Sequence, residues 1–187
     1  MGQPKLILPI GKTTVIGRVL TALQTGGVTS ISVVVRRDDL ELQNAIRNHG
    51  LEPLRPVIDP PDMRASIEHG LAEIERLFEP TADDAWLLLP ADHPVLDAGL
   101  IHKVIAHWKT NAADVLIPTC HGRRGHPLVA RWSTVNAVRR LPTDVGVNAW
   151  LRSPSTQVTE WAIDDSRILC DLDRPEDYAR LLAEISR

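Results

Sequence analysis

The stretch that decides the fold is Trp86-Leu87-Leu88-Leu89-Pro90-Ala91-Asp92-His93-Pro94. Consecutive large apolar residues closed by a proline predict a short strand that is buried on both faces, as in parallel sheets covered by helices. Ligands of such sheets lie beyond the carboxyl ends of the strands, which makes Asp92 the first candidate for a metal or phosphate site. The alternative is an ordinary aspartate that caps the helix expected near Asp97.

Helical and strand-like patterns alternate through the first two thirds of the chain. Apolar spacing predicts helices over residues 13–25, 40–48, 63–77 and 100–108, and strands over 30–35, 54–58, 86–89 and 114–118. This alternation favours an α/β protein with right-handed crossovers and a mainly parallel sheet between helical layers.

The last third of the chain has a different pattern. It predicts strands over 126–132, 157–163 and 167–172, short helices over 135–140 and 145–151, and a closing helix over 175–185. The alternating apolar and polar residues of 157–163 suit an edge or antiparallel strand.

Length and charge narrow the class of protein. A chain of 187 residues predicts one domain over 1–187. The 21 Lys and Arg are outnumbered by 24 Asp and Glu, and no basic run is long, so nucleic acid is not an expected partner. Without an apolar stretch of about 18 residues or a charged-then-apolar leader, we expect no membrane segment and a cytoplasmic location.

Acidic residues follow two of the predicted strands. Asp92 ends one of them, and Asp171 and Asp173 end another. Such strand ends can face one another across the top of a sheet, and Mg²⁺ binds through one or two carboxylates plus substrate phosphates. The alternative for Asp173-Arg174-Pro175-Glu176 is a helix N-terminus whose acidic residues offset the helix dipole.

A second cluster is Gly122-Arg123-Arg124-Gly125-His126-Pro127. Its glycines permit close backbone approach, its arginines can meet phosphate, and His126 can carry a proton or orient a ligand. The alternative is a turn without a further role.

Two further candidates lie before this cluster. The ammonium of Lys5 can lie against phosphates, although a lone lysine is usually a solvated surface charge. Ser66 and Gly70 are unusual inside a helix, and small residues there allow either a flat ligand or tight packing.

Taken in order, five segments carry a resemblance to a known family. They are Met1-Gly2-Gln3-Pro4-Lys5-Leu6-Ile7-Leu8-Pro9, 63–71, 89–94, 122–127 and 171–178. In this order they resemble the molybdenum-cofactor cytidylyltransferase group of the MobA-like nucleotidyltransferases. The resemblance implies a Rossmann-like, three-layer α/β/α fold, with a mostly parallel sheet that includes one antiparallel strand.

The resemblance also implies a reaction. A nucleotidyl group passes from an NTP, CTP or GTP, to a phosphorylated acceptor such as molybdopterin, and pyrophosphate is released, with CMP favoured and Mg²⁺ as cofactor. Asp92 then corresponds to the principal Mg²⁺ ligand, and Asp173, with Asp171 as runner-up, to the second. The implied catalytic residues are Asp92, Lys5 and His126, the nucleotide-binding residues are Gly2, Lys5, Ser66 and Asp92, and the acceptor-binding residues are Arg124, Gly125, His126 and Pro127.

The chain departs from the family pattern in two places. The family signature places a strand and a Gly-rich loop before the Met-Gly with which this chain starts, and an acidic Gly-Asp motif is altered to Thr143-Asp144-Val145-Gly146-Val147-Asn148. One interpretation is an N-terminally incomplete domain of an ordinary enzyme. The other interpretation is a catalytically impaired homologue that binds a nucleotide or a protein. Without the family's first strand, neighbouring strands would have unpaired edges, which a second subunit could cover.

Overall fold

Short strands and helices follow one another through the part of the chain that the computed structural model describes, residues 4–111, 113–142 and 145–185. The strands are β1 (Pro9–Ile10), β2 (Thr13–Thr14), β3 (Ala85–Leu88), β4 (Val115–Cys120), β5 (Arg123–Arg124), β6 (Leu128–Arg131) and β7 (Val158–Ala162). The α-helices are α1 (Val15–Thr25), α2 (Leu40–Arg47), α3 (Met63–Phe78), α4 (Ala98–Asn111), α5 (Val135–Arg139), α6 (Val147–Trp150) and α7 (Pro175–Ile185). Single turns of 3₁₀ helix cover Lys5–Ile7, Trp132–Thr134 and Ser166–Leu169. No helix in these described ranges is long and apolar enough to cross a membrane.

The main sheet places β6 between β3 and β4 and antiparallel to both, while β7 pairs with β4 in parallel. The expectation of a mostly parallel sheet is therefore not confirmed. The chain reverses after β4 at His121 and Gly122, whose φ angles of 51° and 72° form the turn into β5. This hairpin sends the following strand back along β4 instead of across a helical crossover.

Helices cover both faces of the sheet. Alternate residues of β4 point to opposite faces, so Val115 and Ile117 pack with α3, α5 and α6, whereas Leu116 packs with Val104 and Trp108 of α4. The three-layer α/β/α arrangement is therefore present although the strand directions differ from the expectation.

The segments 30–35 and 54–58 do not form the expected strands. They meet at one parallel bridge, where the Val35 amide donates to the Leu54 carbonyl (2.9 Å) and the Leu54 amide donates to the Val33 carbonyl (2.8 Å). The stretch around Trp86 does form a strand, but Leu87 is only half-buried because a groove lies alongside β3.

The expected strand over 167–172 is also wrong in its first half. Residues Ser166–Leu169 form a 3₁₀ turn, because the Asp165 carboxylate accepts a hydrogen bond from the Arg167 amide (3.1 Å) and caps the turn. Beyond this turn the Leu172 amide donates to the Asp92 carbonyl (3.0 Å), which holds the segment against the end of β3.

Candidate functional site

Three charged side chains from distant parts of the chain meet beyond the end of β3. The ammonium nitrogen of Lys5 lies 2.7 Å from Asp92 Oδ2 and 3.2 Å from Asp173 Oδ1. The Asp92 side chain is 22% exposed and that of Asp173 is 66% exposed, so the cluster opens to solvent on the Asp173 side. The predicted pairing of Asp92 with Asp173 is thus present as geometry, with Lys5 between them.

Local structure explains why Asp173 reaches this cluster. Leu172 is buried (1% exposed) and its amide is bound to the Asp92 carbonyl, so the next side chain emerges beside Asp92. Asp171 lines a small cavity together with Asp177 and Arg180 of α7. Its metal-binding role stays a prediction, whereas Asp173 is the carboxylate that the structure brings to Lys5.

The three groups stabilise one another's charges. The hydrogen bond from the His93 ring (3.1 Å) and the neighbouring Lys5 ammonium hold the pKa of Asp92 far below its usual range, although burial opposes the shift. Burial disfavours the charged form of Lys5, but hydrogen bonds and charges from Asp92 and Asp173 raise its pKa. Asp92 and Lys5 are consequently both charged at neutral pH.

A pair of histidine rings lies behind Asp92. His93 is 5% exposed, and its ring meets that of His126 edge to face with 4.8 Å between centroids. Burial, followed by the charge of His93, lowers the pKa of His126 to about 4, so this ring is neutral at pH 7. His126 is a candidate from the sequence alone, whereas His93 is not. The position of His93 directly after Asp92 is the sequence signal that points to it.

Gly125 holds His126 in place through a close backbone contact. A Cβ atom at residue 125 would lie 2.5 Å from the Ile168 carbonyl oxygen. The His126 amide donates to that same carbonyl (2.9 Å), and the Gly125 amide donates to the Pro118 carbonyl (2.8 Å). The expected close backbone approach is therefore found, and it is made to another part of the chain.

Other predicted residues have local partners. The Arg124 guanidinium bonds Glu160 (2.8 Å) and also the Leu151 carbonyl (3.3 Å). The Ser66 hydroxyl donates to the Asp62 carbonyl (3.1 Å) in the first turn of α3. Pro127 follows His126 through a cis peptide bond. Three other residues that the sequence singles out, Gly2, Thr143 and Asp144, lie outside the described residues. The nucleotide and acceptor roles of all these residues stay predictions.

The donor set indicates which kind of metal would fit. Within residues 4–111, 113–142 and 145–185, no group of three or more His, Cys, Asp or Glu side chains could hold a metal ion by itself. Asp92 and Asp173 supply two carboxylates, and a hard cation such as Mg²⁺ is typically held by one or two carboxylates together with substrate phosphates. The geometry therefore suits a cation that arrives with a phosphorylated ligand.

Comparisons with known proteins identify the family and the fold of this chain. The family model of the MobA-like NTP transferase domain matches residues 1–159. The structure of Rv0371c from Mycobacterium tuberculosis H37Rv superposes with a TM-score of 0.81 at 23% identity, covering 98% of this chain and 91% of that one. The manganese complex of Rv0371C gives 0.77 at 24% identity, covering 96% and 91%. A nucleotidyl transferase from a Methanothermobacter species gives 0.77 at 19% identity, covering 98% and 85%. A comparison with curated proteins found no match. The structural likenesses show a shared α/β nucleotidyltransferase-like fold.

Proposed function

Because the chain belongs to the MobA-like NTP transferase domain family, we propose that it transfers a nucleotidyl group from an NTP to a phosphorylated acceptor and releases pyrophosphate. We propose Mg²⁺ as the cofactor, CMP as the favoured nucleotidyl group and a molybdopterin-type acceptor. The order of the sequence motifs supports the choice of CMP and molybdopterin.

The observation that carries this proposal is the convergence of Asp92 and Asp173 on one point. Lys5, which lies 87 residues from Asp92 and 168 residues from Asp173 in sequence, brings a positive charge between the two carboxylates. The same two carboxylates are suited to a divalent cation, since Mg²⁺ is usually bound through one or two carboxylates together with substrate phosphates. The manganese bound to Rv0371C is a divalent cation on the same fold.

The residues of the chain then have distinct tasks. Asp92 and Asp173 would hold Mg²⁺, which supplies neutralisation of charge on the triphosphate. Lys5 exchanges its carboxylate partners for phosphate oxygens of the NTP and keeps the α-phosphate in line with the acceptor. An acceptor phosphate oxygen bonds to the α-phosphorus, the bond from that phosphorus to the bridging oxygen breaks, and pyrophosphate leaves with the electron pair.

His126 orients the acceptor and does not accept its proton. An acceptor phosphate is already ionised at pH 7, so the attacking oxygen needs no general base. The neutral ring has its Nδ1 buried and without a hydrogen-bond partner among the described atoms. We assign this ring and the neighbouring Gly125 backbone to the acceptor side of the site.

Pyrophosphate release over a panel of the four NTPs, with Mg²⁺ or Mn²⁺ and molybdopterin, tests the proposal. The panel is run on the 187-residue chain and on the same chain extended at its N-terminus by a Gly-rich loop. Asp92→Asn is expected to lower turnover by about 100-fold because it removes a charge that holds the cation. The control substitution Asp164→Asn, at an exposed carboxylate with no predicted role in the site, is expected to leave turnover within a few-fold.

Two results would contradict the proposal. Nucleotide binding without pyrophosphate release by either chain would instead identify a nucleotide-binding module that lacks catalysis. Equal losses in Asp92→Asn and Asp164→Asn would show that the carboxylate of Asp92 has no particular role in turnover.

A further inference from the structure

The two oxygens of the Asp92 carboxylate have different partners. Oδ2 lies 2.7 Å from the Lys5 ammonium, on the side of the cluster where Asp173 lies. Oδ1 lies 3.1 Å from Nδ1 of the His93 ring. The His93 side chain is 7% exposed, against 22% for Asp92, so Oδ1 faces the protein interior and Oδ2 faces the open side of the cluster.

The direction of the hydrogen bond between His93 and Asp92 follows from the charge of the carboxylate. The Asp92 carboxylate is charged at neutral pH, and a charged carboxylate only accepts hydrogen bonds. Nδ1 of His93 therefore carries a proton and donates it to Oδ1. A donor at this position stabilises the orientation of the carboxylate in which Oδ1 points to the ring.

The main chain is fixed on both sides of His93. On one side, the Asp92 carbonyl accepts a hydrogen bond from the Leu172 amide (3.0 Å). On the other side, the Pro94 carbonyl accepts one from Nε of Arg18 (3.0 Å). The direction in which the His93 side chain leaves the main chain is consequently well determined.

The ring of His93 is also held by its neighbour. The His126 ring meets it edge to face, with 4.8 Å between centroids and 79° between the ring planes. The His126 amide in turn donates to the Ile168 carbonyl (2.9 Å), which fixes the main chain behind the second ring. A donor that is locked by packing and by hydrogen bonds of its surroundings can orient a ligand group precisely.

We propose that His93 is a positioning residue for the cation site, because its Nδ1–H group keeps Oδ1 of Asp92 turned inwards and leaves Oδ2 alone for the cation. This inference rests on the proposed function, in which a divalent cation lies between Asp92 and Asp173. One oxygen in a fixed direction suits Mg²⁺, which demands near-ideal octahedral coordination, and Mn²⁺, which prefers the same arrangement. Ca²⁺ has a more flexible coordination and accepts a carboxylate through one or both oxygens, so it gains less from a fixed oxygen. His93 therefore favours the smaller cations.

The alternative is that His93 only fills space beside Asp92. Two substitutions separate the two roles, since each removes a different property of the side chain. His93→Phe retains a ring that can pack against His126 but has no hydrogen-bond donor. His93→Asn loses the ring but keeps a donor, because the amide nitrogen of asparagine and Nδ1 of histidine are both attached to Cγ.

The test compares the cation affinities of the parent and of these two variants in the absence of nucleotide. Mn²⁺ binding is measured by electron paramagnetic resonance titration, Ca²⁺ binding by its competition with Mn²⁺, and folding by circular dichroism. His93→Phe is expected to bind Mn²⁺ about tenfold more weakly than the parent. Its affinity for Ca²⁺ is expected to change by a few-fold at most, so that its preference for Mn²⁺ falls. His93→Asn is expected to remain within a few-fold of the parent for both cations.

Three outcomes would overturn the proposal. If His93→Phe keeps the Mn²⁺ affinity of the parent, His93 only packs. If His93→Phe loses affinity for Mn²⁺ and Ca²⁺ equally, or if His93→Asn loses as much as His93→Phe, the site has loosened without any effect of a directed donor. A parent that binds no Mn²⁺ would contradict the proposed cation site itself, and that result is distinct from a change of affinity in the variants.

A measurement on the unchanged protein tests the hydrogen bond even if His93→Phe does not fold. The nitrogen NMR shifts of the His93 ring report which of its two nitrogens carries a proton. We expect a proton on Nδ1, both without cation and with Mg²⁺ added, because Oδ1 of Asp92 remains its acceptor. A ring protonated on Nε2 alone would overturn the proposal.

Discussion

Replacing Gly125 by alanine is expected to destabilise the protein through one backbone contact. The added Cβ would lie 2.5 Å from the Ile168 carbonyl oxygen and 2.7 Å from Ile168 Cγ1, distances at which something must move. Overpacking of this kind typically costs about 1–3 kcal/mol. A chain of this size loses roughly 2–4 °C of unfolding temperature per kcal/mol, so Gly125→Ala is expected to unfold about 5 °C lower.

The matched control is Gly70→Ala, the same substitution within α3. Its Cβ would lie 3.7 Å from Val34 Cγ2, an ordinary van der Waals contact. Alanine in a helix interior is more favourable than glycine by about 0.5–1 kcal/mol, so this variant is expected to unfold slightly higher than the parent. Both variants are measured by circular dichroism in one buffer. If Gly125→Ala unfolds at or above the temperature of Gly70→Ala, the contact with Ile168 is not a steric limit.

Two further substitutions test the charges of the site. The Lys5→Met variant is expected to bind Mn²⁺ severalfold more tightly in the absence of nucleotide, because the ammonium no longer competes for the two carboxylates. The control variant Lys12→Met, at an exposed turn, is expected to bind Mn²⁺ as the parent does. Both affinities are measured by electron paramagnetic resonance titration. The parent protein is expected to lose stability as the pH falls from 6.5 to about 4. Burial lowers the pKa of the His126 ring from 6.5 to about 4, so only the unfolded chain takes up a proton over that range. The His126→Gln variant is expected to show a smaller loss. The loss due to His126 amounts to at most about 3 kcal/mol of unfolding free energy, measured by urea unfolding, and is absent above pH 7. The exposed control His69→Gln is expected to keep the pH dependence of the parent. If the unfolding free energy of His126→Gln falls with decreasing pH as steeply as that of the parent, the explanation is wrong.

The helices could be predicted from the sequence because their signals are local. The caps of α1 and α3 accept hydrogen bonds at short range, from Gly17 to Thr14 and from Ala65 to Asp62. The apolar spacing that follows each cap then fixes the buried face. Predicted and observed bounds of these two helices consequently agree to within two residues.

The sheet could not be predicted in the same way. Alternating burial has the same period in parallel and antiparallel strands, so the pattern does not contain the direction of β6. The segment around Ile168 is apolar enough to resemble a strand, yet the Asp165 side chain turns it into a 3₁₀ helix. The direction of β6 depends on pairing partners that are distant in sequence, and the 3₁₀ turn depends on one local hydrogen bond.

The candidate site shows the same division between local and distant information. The position of Asp92 after a buried strand was visible in the sequence, and so was a second acidic candidate ahead of α7. The placement of Lys5 between the two carboxylates could not be predicted from the sequence, because it depends on contacts between residues 87 and 168 positions apart. The structure thereby identifies the Lys5 ammonium as the positive charge that lies between the two acidic residues.

This balance has a consequence for how ligands bind. Lys5 leaves the cluster with Asp92 and Asp173 at a net charge of −1, whereas a divalent cation alongside Lys5 would bring it to +1. A divalent cation and an ammonium within about 4 Å repel by roughly 8 kcal/mol at the effective dielectric constant near a protein surface, twice the value for two unit charges. If the proposed cation binds here, Lys5 would have to move to another anion, and a bound triphosphate would supply that anion. Metal and nucleotide should accordingly bind with positive coupling in the parent chain, and the coupling should weaken in Lys5→Met.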